Sequence, residues 1–533
     1  MSLSEKLLAT LSEPTNAPLI TGSLRGIEKE SLRITPEGKL AQTPHPRALG
    51  SALTHPQITT DYSEALLEFI TPPSHRVEDV LQHLENIHRF TYHQLDNEYL
   101  WVTSMPCMVD NDENIPVAKY GTSNAGHMKT VYRLGLGHRY GRLMQTIAGV
   151  HYNYSLPNAF WAFLHNYENS TQEFQEFTTQ RYFSLIRNFR RYYWLLIYLY
   201  GAAPAVCSSF VANRDHSLVP FDADKHSFYT PYATSLRMGD LGYQSSAQES
   251  LVVCYNNLDS YLQTLCGAIT KPLPAYQAIG LRSDNGNYKQ LNTSLLQIEN
   301  EFYSSIRPKR TAHSGETALG ALYQRGVEYI EVRCVDLNPY EPLGISAEQT
   351  HFLDTFLLYC LLEPSPPTDD TEYRNIQENQ RRVVYSGRDP QMTLLNCSGE
   401  HNIKDWGNTL LDALEPVAKL LDTVYETSAH RDSLATQRSK MSDPGLTPSA
   451  RILQDMRDQN IPFYRLAMNQ ALKHSAQFMS TTLEADTEAR FRNMAQSSLF
   501  EQKLAESTDK ISFDEYLQNY YTQYQNCHCS EAP

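Results

Sequence analysis

Arg25–Thr35, RGIEKESLRIT, reads as a β-strand that carries acid on a face expected to be apolar. Period-two geometry puts Glu28, Glu30, Leu32 and Ile34 on one face and Lys29 and Arg33 on the other. Strand rise sets the two carboxylates roughly 7 Å apart. A second run, Glu64–Thr71 (EALLEFIT), places Glu68 between Leu67 and Phe69. In a third, Val327–Leu337 (VEYIEVRCVDL), Glu331 and Arg333 share one face while Glu328, Ile330 and Val332 share the other. Each acid alone fits a solvated strand face. Four of them in short apolar runs fit a different picture, because an unpartnered buried carboxylate is costly and converging strands of this kind need cations. Oxygen donors without Cys or paired His suit a hard dication, Mg2+ or Mn2+. Carboxylate-held Mg2+ commonly bridges substrate phosphates, with basic side chains balancing charge during phosphoryl transfer. Arg333, Arg237 in PYATSLR and Arg133 in TVYRLG are the candidates for that role.

Further strand-like runs are Ile147–Pro157 (IAGVHYNYSLP) and Ser250–Tyr255 (SLVVCY). Long helical patterns separate the strands, which predicts an α+β fold with an antiparallel or mixed sheet in place of regular βαβ units. Phe183, Ile186, Phe189, Tyr193, Leu196 and Tyr200 recur at helical spacing over residues 181–200. After Pro342 the chain turns mainly helical: Leu410, Leu414, Val417, Leu421 and Val424 form one stripe, and Ile452, Leu453 and Met456 begin another. PSPPTDD, Pro364–Asp370, is the clearest break. The glycines of LGLGHRYG, at Gly135, Gly137 and Gly141, read as a turn.

The 533 residues contain 45 Lys plus Arg against 60 Asp plus Glu, a net charge of −15, which argues against a nucleic-acid partner. At 41% hydrophobic and 20% charged residues the chain can bury a large core. The start, MSLSEKLLATLSEPT, lacks the basic and apolar regions of a signal peptide, and nine dilute Cys fit a reducing, cytoplasmic setting. The most apolar stretch, Tyr192–Cys207, is shorter than the roughly 20 residues of a membrane span, so no membrane partner is expected. Cys527-His528-Cys529 offers too few ligands for a structural zinc site. No Walker-type phosphate loop, no HExxH and no GxSxG motif occurs.

Seven strings occur in order: RGIEKESLR, HPRALGSALTHPQITTDYSEALLEFITP, YGTSNAG with TVYRLGLGHRYG, MQTIAGVHYNYSLP, PYATSLRMGDLGY, LQIENEFYSSIRPKR and GVEYIEVRCVDLNP. Together they closely resemble glutamate–cysteine ligase of the proteobacterial type, from about residue 20 to 345 and more weakly beyond. The resemblance implies a glutamine synthetase-like core, a curved antiparallel or mixed sheet forming a funnel for divalent metal, ATP and glutamate. Residues 1–345 would form that funnel with its helices, and 346–533 a mainly helical part packed on the same domain. The implied reaction is ATP-dependent joining of the L-glutamate γ-carboxylate to the amino group of L-cysteine through a γ-glutamyl phosphate, the first step of glutathione synthesis. Position by position, the resemblance implies metal ligands at Glu28, Glu30, Glu68 and Glu331, with His151 in GVHYN as a further ligand and Asp61 as a nearby acidic group. It implies Arg237 and Arg333 as catalytic, with Arg333 also on the nucleotide and Arg133 on substrate phosphate. Tyr132, Gln145, Tyr243 and Tyr303 fall where the family builds its cysteine pocket. Core packing is the default for any one of 34 Tyr, and the motif positions set these apart.

Small molecules alone are the expected partners, and a monomer is the expected state. Two other readings stay open: a carboxylate–amine ligase of the same superfold that takes a different amine, and a non-catalytic metal- or nucleotide-binding relative.

Overall fold

The protein is described by a computed structural model over residues 5–109, 111–212, 214–242, 248 and 251–525. Seven strands form its main sheet: β1 (Leu24–Ile34), β2 (Ile58–Thr60), β3 (Leu66–Ile70), β4 (Tyr99–Leu100), β5 (Val150–Ser155), β6 (Ile306–Lys309) and β7 (Tyr329–Val335). Their spatial order is β2-β3-β1-β5-β7-β6, with β4 pairing off the path at the end of β1. Every pairing is antiparallel.

Register decides which side chains meet. Glu28 opposes Ile70 on β3 and His151 on β5, Glu30 opposes Glu68, and Glu331 opposes Asn153 and Arg307. Directly opposed residues point to the same face, so all of these polar groups emerge on one side of the sheet. The other side presents Ile27, Phe69, Tyr152, Tyr154, Ile330 and Val332, all buried. Burying each such side chain is worth about 1.5–3 kcal/mol.

Helices cover that apolar side. They include α1 (Val77–Tyr92), α3 (Phe174–Tyr192), α4 (Trp194–Tyr200) and α5 (Ala347–Leu362), while α2 (Asn124–Tyr140) lies toward the polar side. The Ser346 hydroxyl caps α5 by accepting from Gln349 N at 3.1 Å, and the helix is buried from Gln349 to Leu362. Asp354 fastens it beneath the sheet, accepting from Tyr152 Oη at 2.5 Å and ion-pairing with Arg25 Nε at 2.9 Å. One hydrophobic cluster runs from Leu7 to Tyr524 and joins the sheet to the helices after residue 346. The two stripes expected there lie on helices Ile403–Tyr425 and Pro448–Asp458. Among the described residues the last helix is α6 (Phe513–Gln525).

Several local expectations need correction. Residues 251–255 form no strand, and Tyr255 instead packs its ring against Tyr261, 5.4 Å between centroids. The glycine cluster is no turn: Gly135 and Gly137 lie inside α2, and only Gly141, at φ 81°, ends it. The predicted helix over 181–200 is interrupted at Tyr193, between α3 and α4. Cys107 and Cys207 are joined in a disulfide with Cα atoms 5.4 Å apart. Among the described residues no helix is long and apolar enough to cross a membrane.

Candidate active site

Glu28, His151 and Glu331, from three adjacent strands, bring one ligand atom each to within 4.8 Å of one another. Glu28 Oε2 lies 3.2 Å from His151 Nδ1, and Glu28 Oε1 accepts from Asn153 Nδ2 at 2.9 Å. His151 Nε2 is 3.7 Å from Glu30 Oε1, and Glu30 Oε2 accepts from the backbone N of Gly149 at 2.8 Å. Glu68 stands opposite Glu30 on the outer side of β1. The four carboxylates and the histidine predicted from sequence therefore share one face of one sheet.

The face is electrically polarised. Toward β6 and β7, three cations surround Glu331: Arg333 Nη1 at 3.1 Å, Lys309 Nζ at 3.4 Å and Arg307 Nη1 at 3.8 Å. Burial alone would raise the Glu331 carboxyl, but Lys309, Arg333, His151 and Arg307 outweigh it and hold the group well below the usual carboxylate range. Burial also opposes ionisation of Glu28, and the His151 hydrogen bond leads the groups that bring it below its ordinary value. Toward β3 the balance reverses. Burial, reinforced by Glu28, Asp61 and Glu30, lifts Glu68 well above 4.5, and burial likewise raises Glu30. The donor set of carboxylate oxygens and one imidazole fits a hard dication, and the crowding of Glu28, Glu30, Glu68 and Asp61 is the repulsion such a charge would relieve.

A bulge in β7 aims the arginine. Val332 pairs with Tyr152 and Val335 with Val150, so two residues, Arg333 and Cys334, face the single residue His151. Bulges of this kind redirect a side chain beside a site. Arg333 Nη1 also lies 3.4 Å from His151 Nδ1, and its backbone N donates to Ser305 O at 2.8 Å. Arg237 lies behind it, 2% exposed, donating to Arg333 O at 2.9 Å and 3.5 Å from Asp336 Oδ1. Gly149 makes this possible, because a Cβ there would overlap the Arg237 guanidinium. Arg133 sits at the opposite end, 3.9 Å from Asp61 Oδ1, bonded to Asp61 O and stacked over Tyr120 at 4.5 Å.

Beyond the charged face, Gln145 Nε2 donates to Tyr303 Oη at 2.8 Å, and Tyr132 lies close enough to Tyr303 for their hydroxyls to influence each other. Tyr303 also borders a hollow of about 430 Å³ lined by Met238, Tyr255 and Tyr373. Tyr243 and the Cys527-His528-Cys529 trio lie outside the described residues. Sequence reasoning missed Arg307, Lys309 and Asn153. Asn153 follows His151 by two, so the period-two rule that found the acids would have found it as well, whereas Arg307 and Lys309 alternate in IRPK, a run too short to read as a strand from sequence.

The sequence model of the glutamate–cysteine ligase family matches residues 8–383. The chain is 57% identical to glutamate–cysteine ligase of Saccharophagus degradans over 520 residues, covering 97% of this chain and 98% of that one. It is 51% identical to the Alcanivorax borkumensis protein of the same name, covering 97% and 99% of the two chains. The crystal structure of glutamate–cysteine ligase from Francisella tularensis in complex with AMP superposes with a TM-score of 0.88 at 37% identity, covering 95% of this chain and 98% of that one.

Proposed function

The chain belongs to the glutamate–cysteine ligase family of enzymes, which serves the first step of glutathione biosynthesis, and from that premise we propose that it forms γ-glutamylcysteine from L-glutamate and L-cysteine at the expense of ATP. The observation that carries this reading is the convergence of Glu28, His151 and Glu331 beside the bulge-directed Arg333.

Glu28, Glu30, Glu68, Glu331 and His151 would hold Mg2+, with Mn2+ as a substitute. Bound there, the dication supplies charge neutralisation for the nucleotide phosphates. Arg307, Lys309 and Arg333 form the cationic edge of the face, and the triphosphate lies toward them. The γ-carboxylate of glutamate attacks the γ-phosphorus, ADP leaves, and Arg333 stabilises the charge on the transferring group with a planar fork of donors. Arg237 keeps Arg333 in place through its carbonyl, and Arg133 orders the Asp61 end. The amino group of cysteine, held between Tyr132, Gln145 and Tyr303, then attacks the acyl carbon of γ-glutamyl phosphate and expels phosphate. Most of the acceleration comes from holding reactants together and from preset charge. The AMP bound in the Francisella relative supports a nucleotide co-substrate.

The test supplies ATP, Mg2+ and glutamate with cysteine, 2-aminobutyrate, ammonia or putrescine and follows phosphate release. Preference for cysteine is expected, and hydroxylamine should trap the acyl phosphate as glutamyl hydroxamate. Preference for ammonia or putrescine would overturn the acceptor assignment. The absence of hydroxamate would overturn the acyl phosphate.

A further inference from the structure

Tyr132 and Tyr303 come from distant segments, and a buried ion pair lies between those segments. Arg139 Nη1 and Glu301 Oε1 are 2.8 Å apart, with neither side chain exposed. Glu301 also accepts from Tyr140 Oη at 2.8 Å and from Gln297 N at 2.7 Å. Arg139 spends its other hydrogens on Gln290 Oε1 at 2.9 Å and Asn292 O at 2.7 Å, and stacks over Tyr276 at 4.3 Å. So deep a pair adds little net stability over an apolar replacement, and what it does impose is a fixed geometry.

Two buried amides pass that geometry to the tyrosines. Gln297 donates from Nε2 to the backbone O of Tyr132 at 3.1 Å and accepts at Oε1 from Leu291 N at 2.9 Å. Gln248 accepts from Tyr303 N at 3.1 Å and donates to Glu301 O at 2.9 Å and to Tyr140 Oη at 3.1 Å. The room for Gln297 is made by Gly135, one turn along α2 from Tyr132: a Cβ at that position would overlap the Gln297 amide. From the other side, Tyr521 on α6 donates its hydroxyl to Gln297 O at 2.9 Å.

We infer that Gln297 is a positioning residue for the acceptor amine: anchored by the Arg139–Glu301 pair, it fixes the placement of Tyr132 relative to Tyr303 and thereby the fit of the acceptor, leaving phosphoryl transfer untouched. The inference rests on the reading of those tyrosines as acceptor-pocket walls. It also explains two glycine-and-amide features that the sequence leaves unaccounted for, a glycine in mid-helix and a buried glutamine without a substrate to touch.

Steady-state kinetics of the full-length enzyme with Mg2+, ATP, glutamate and cysteine test it. Gln297→Met keeps the length and removes the donor. The KM for cysteine should rise tenfold or more, with kcat and the KM values for ATP and glutamate within threefold. Gly135→Ala pushes on the same amide and should give the same signature. Its effect should shrink to under twofold in a Gln297→Ala background, where the overlap is gone. Tyr132→Phe and Tyr303→Phe are the controls. If neither moves the cysteine KM, the pocket reading fails and takes this inference with it. If they move it while Gln297→Met and Gly135→Ala do not, the inference alone fails. A uniform loss of kcat with an unchanged cysteine KM in both variants would assign Gln297 a purely structural role and overturn the proposal.

Discussion

Glu68 and Glu331 are both proposed metal ligands, yet without metal their neutralisation should have opposite effects on stability. Glu331 sits among Arg333, Lys309 and Arg307 at 3.1, 3.4 and 3.8 Å. Glu331→Gln leaves those cations unopposed in a buried setting, a change that commonly costs 3–5 kcal/mol. Arg333 and Lys309 retain 15% and 27% side-chain exposure, so screening reduces the expected loss to about 2–4 kcal/mol. Glu68 faces Glu30 and feels Glu28 and Asp61, and burial with these acids raises its pKa. Each pKa unit above the usual value destabilises the ionised native state by about 1.4 kcal/mol. Glu68→Gln should therefore be neutral or stabilising by about 1 kcal/mol in metal-free protein. The pH dependence follows with opposite signs. A raised carboxyl destabilises the fold as pH climbs above 4.5, so the advantage of Glu68→Gln should grow from pH 5 upward. A lowered carboxyl stabilises above 4.5 and loses that contribution as pH falls, so the deficit of Glu331→Gln should shrink in acid. Urea unfolding in EDTA, followed by far-UV circular dichroism at several pH values, measures both; activity in Mg2+ should fall by orders of magnitude in each. Equal destabilisation by the two substitutions in EDTA would refute the polarised face.

Magnesium at a hundred times its Kd should stabilise wild-type protein by about 2.7 kcal/mol, read as a rise in Tm that EDTA reverses and that Glu28→Gln weakens. Arg333→Lys keeps the charge and loses the planar fork, so turnover should drop about a hundredfold while the Mg2+-induced Tm shift persists; unchanged turnover would remove Arg333 from the phosphoryl step. Lys29 is buried against His88 Nε2 at 2.7 Å, and desolvation lowers its pKa to about 7. The native state then binds fewer protons than the unfolded chain from pH 7 to 10.5, so stability should rise across that window, by up to about 5 kcal/mol. Lys29→Met should flatten that rise in pH-dependent urea titrations.

The acids were legible in the sequence because a strand's two-residue period is rigid and a carboxylate among apolar neighbours breaks it visibly. His151 was not legible in that way. A single histidine on a buried strand looks like packing, and only the motif around it marked it. The cationic edge failed for a different reason. Arg307 and Lys309 flank Pro308 in a run too short to register as a strand, although β6 is held there by pairing with β7. Gly135 and Gly137 misled because glycine usually breaks helices. Here the missing side chains are what the helix needs, since Gln297 and the Tyr62 hydroxyl occupy the space.

The bulge in β7 is the feature that simple alternation gets wrong, and its consequence reaches past Arg333. Unbroken period two would group Glu331, Arg333 and Val335 on the charged face. The extra residue at Arg333–Cys334 turns Val335 instead toward the apolar side, opposite Val150, where it is buried. Alternation then resumes in the other phase, and Asp336, which would otherwise follow Ile330 and Val332 into the core, turns toward Arg237. Asp336 also accepts from Ala202 N at 2.8 Å and Ser235 Oγ at 2.9 Å, so its carboxylate is tied to the segment that carries Arg237. One inserted residue thus directs Arg333 at His151 and supplies the counter-charge that lets a second buried arginine stand behind it.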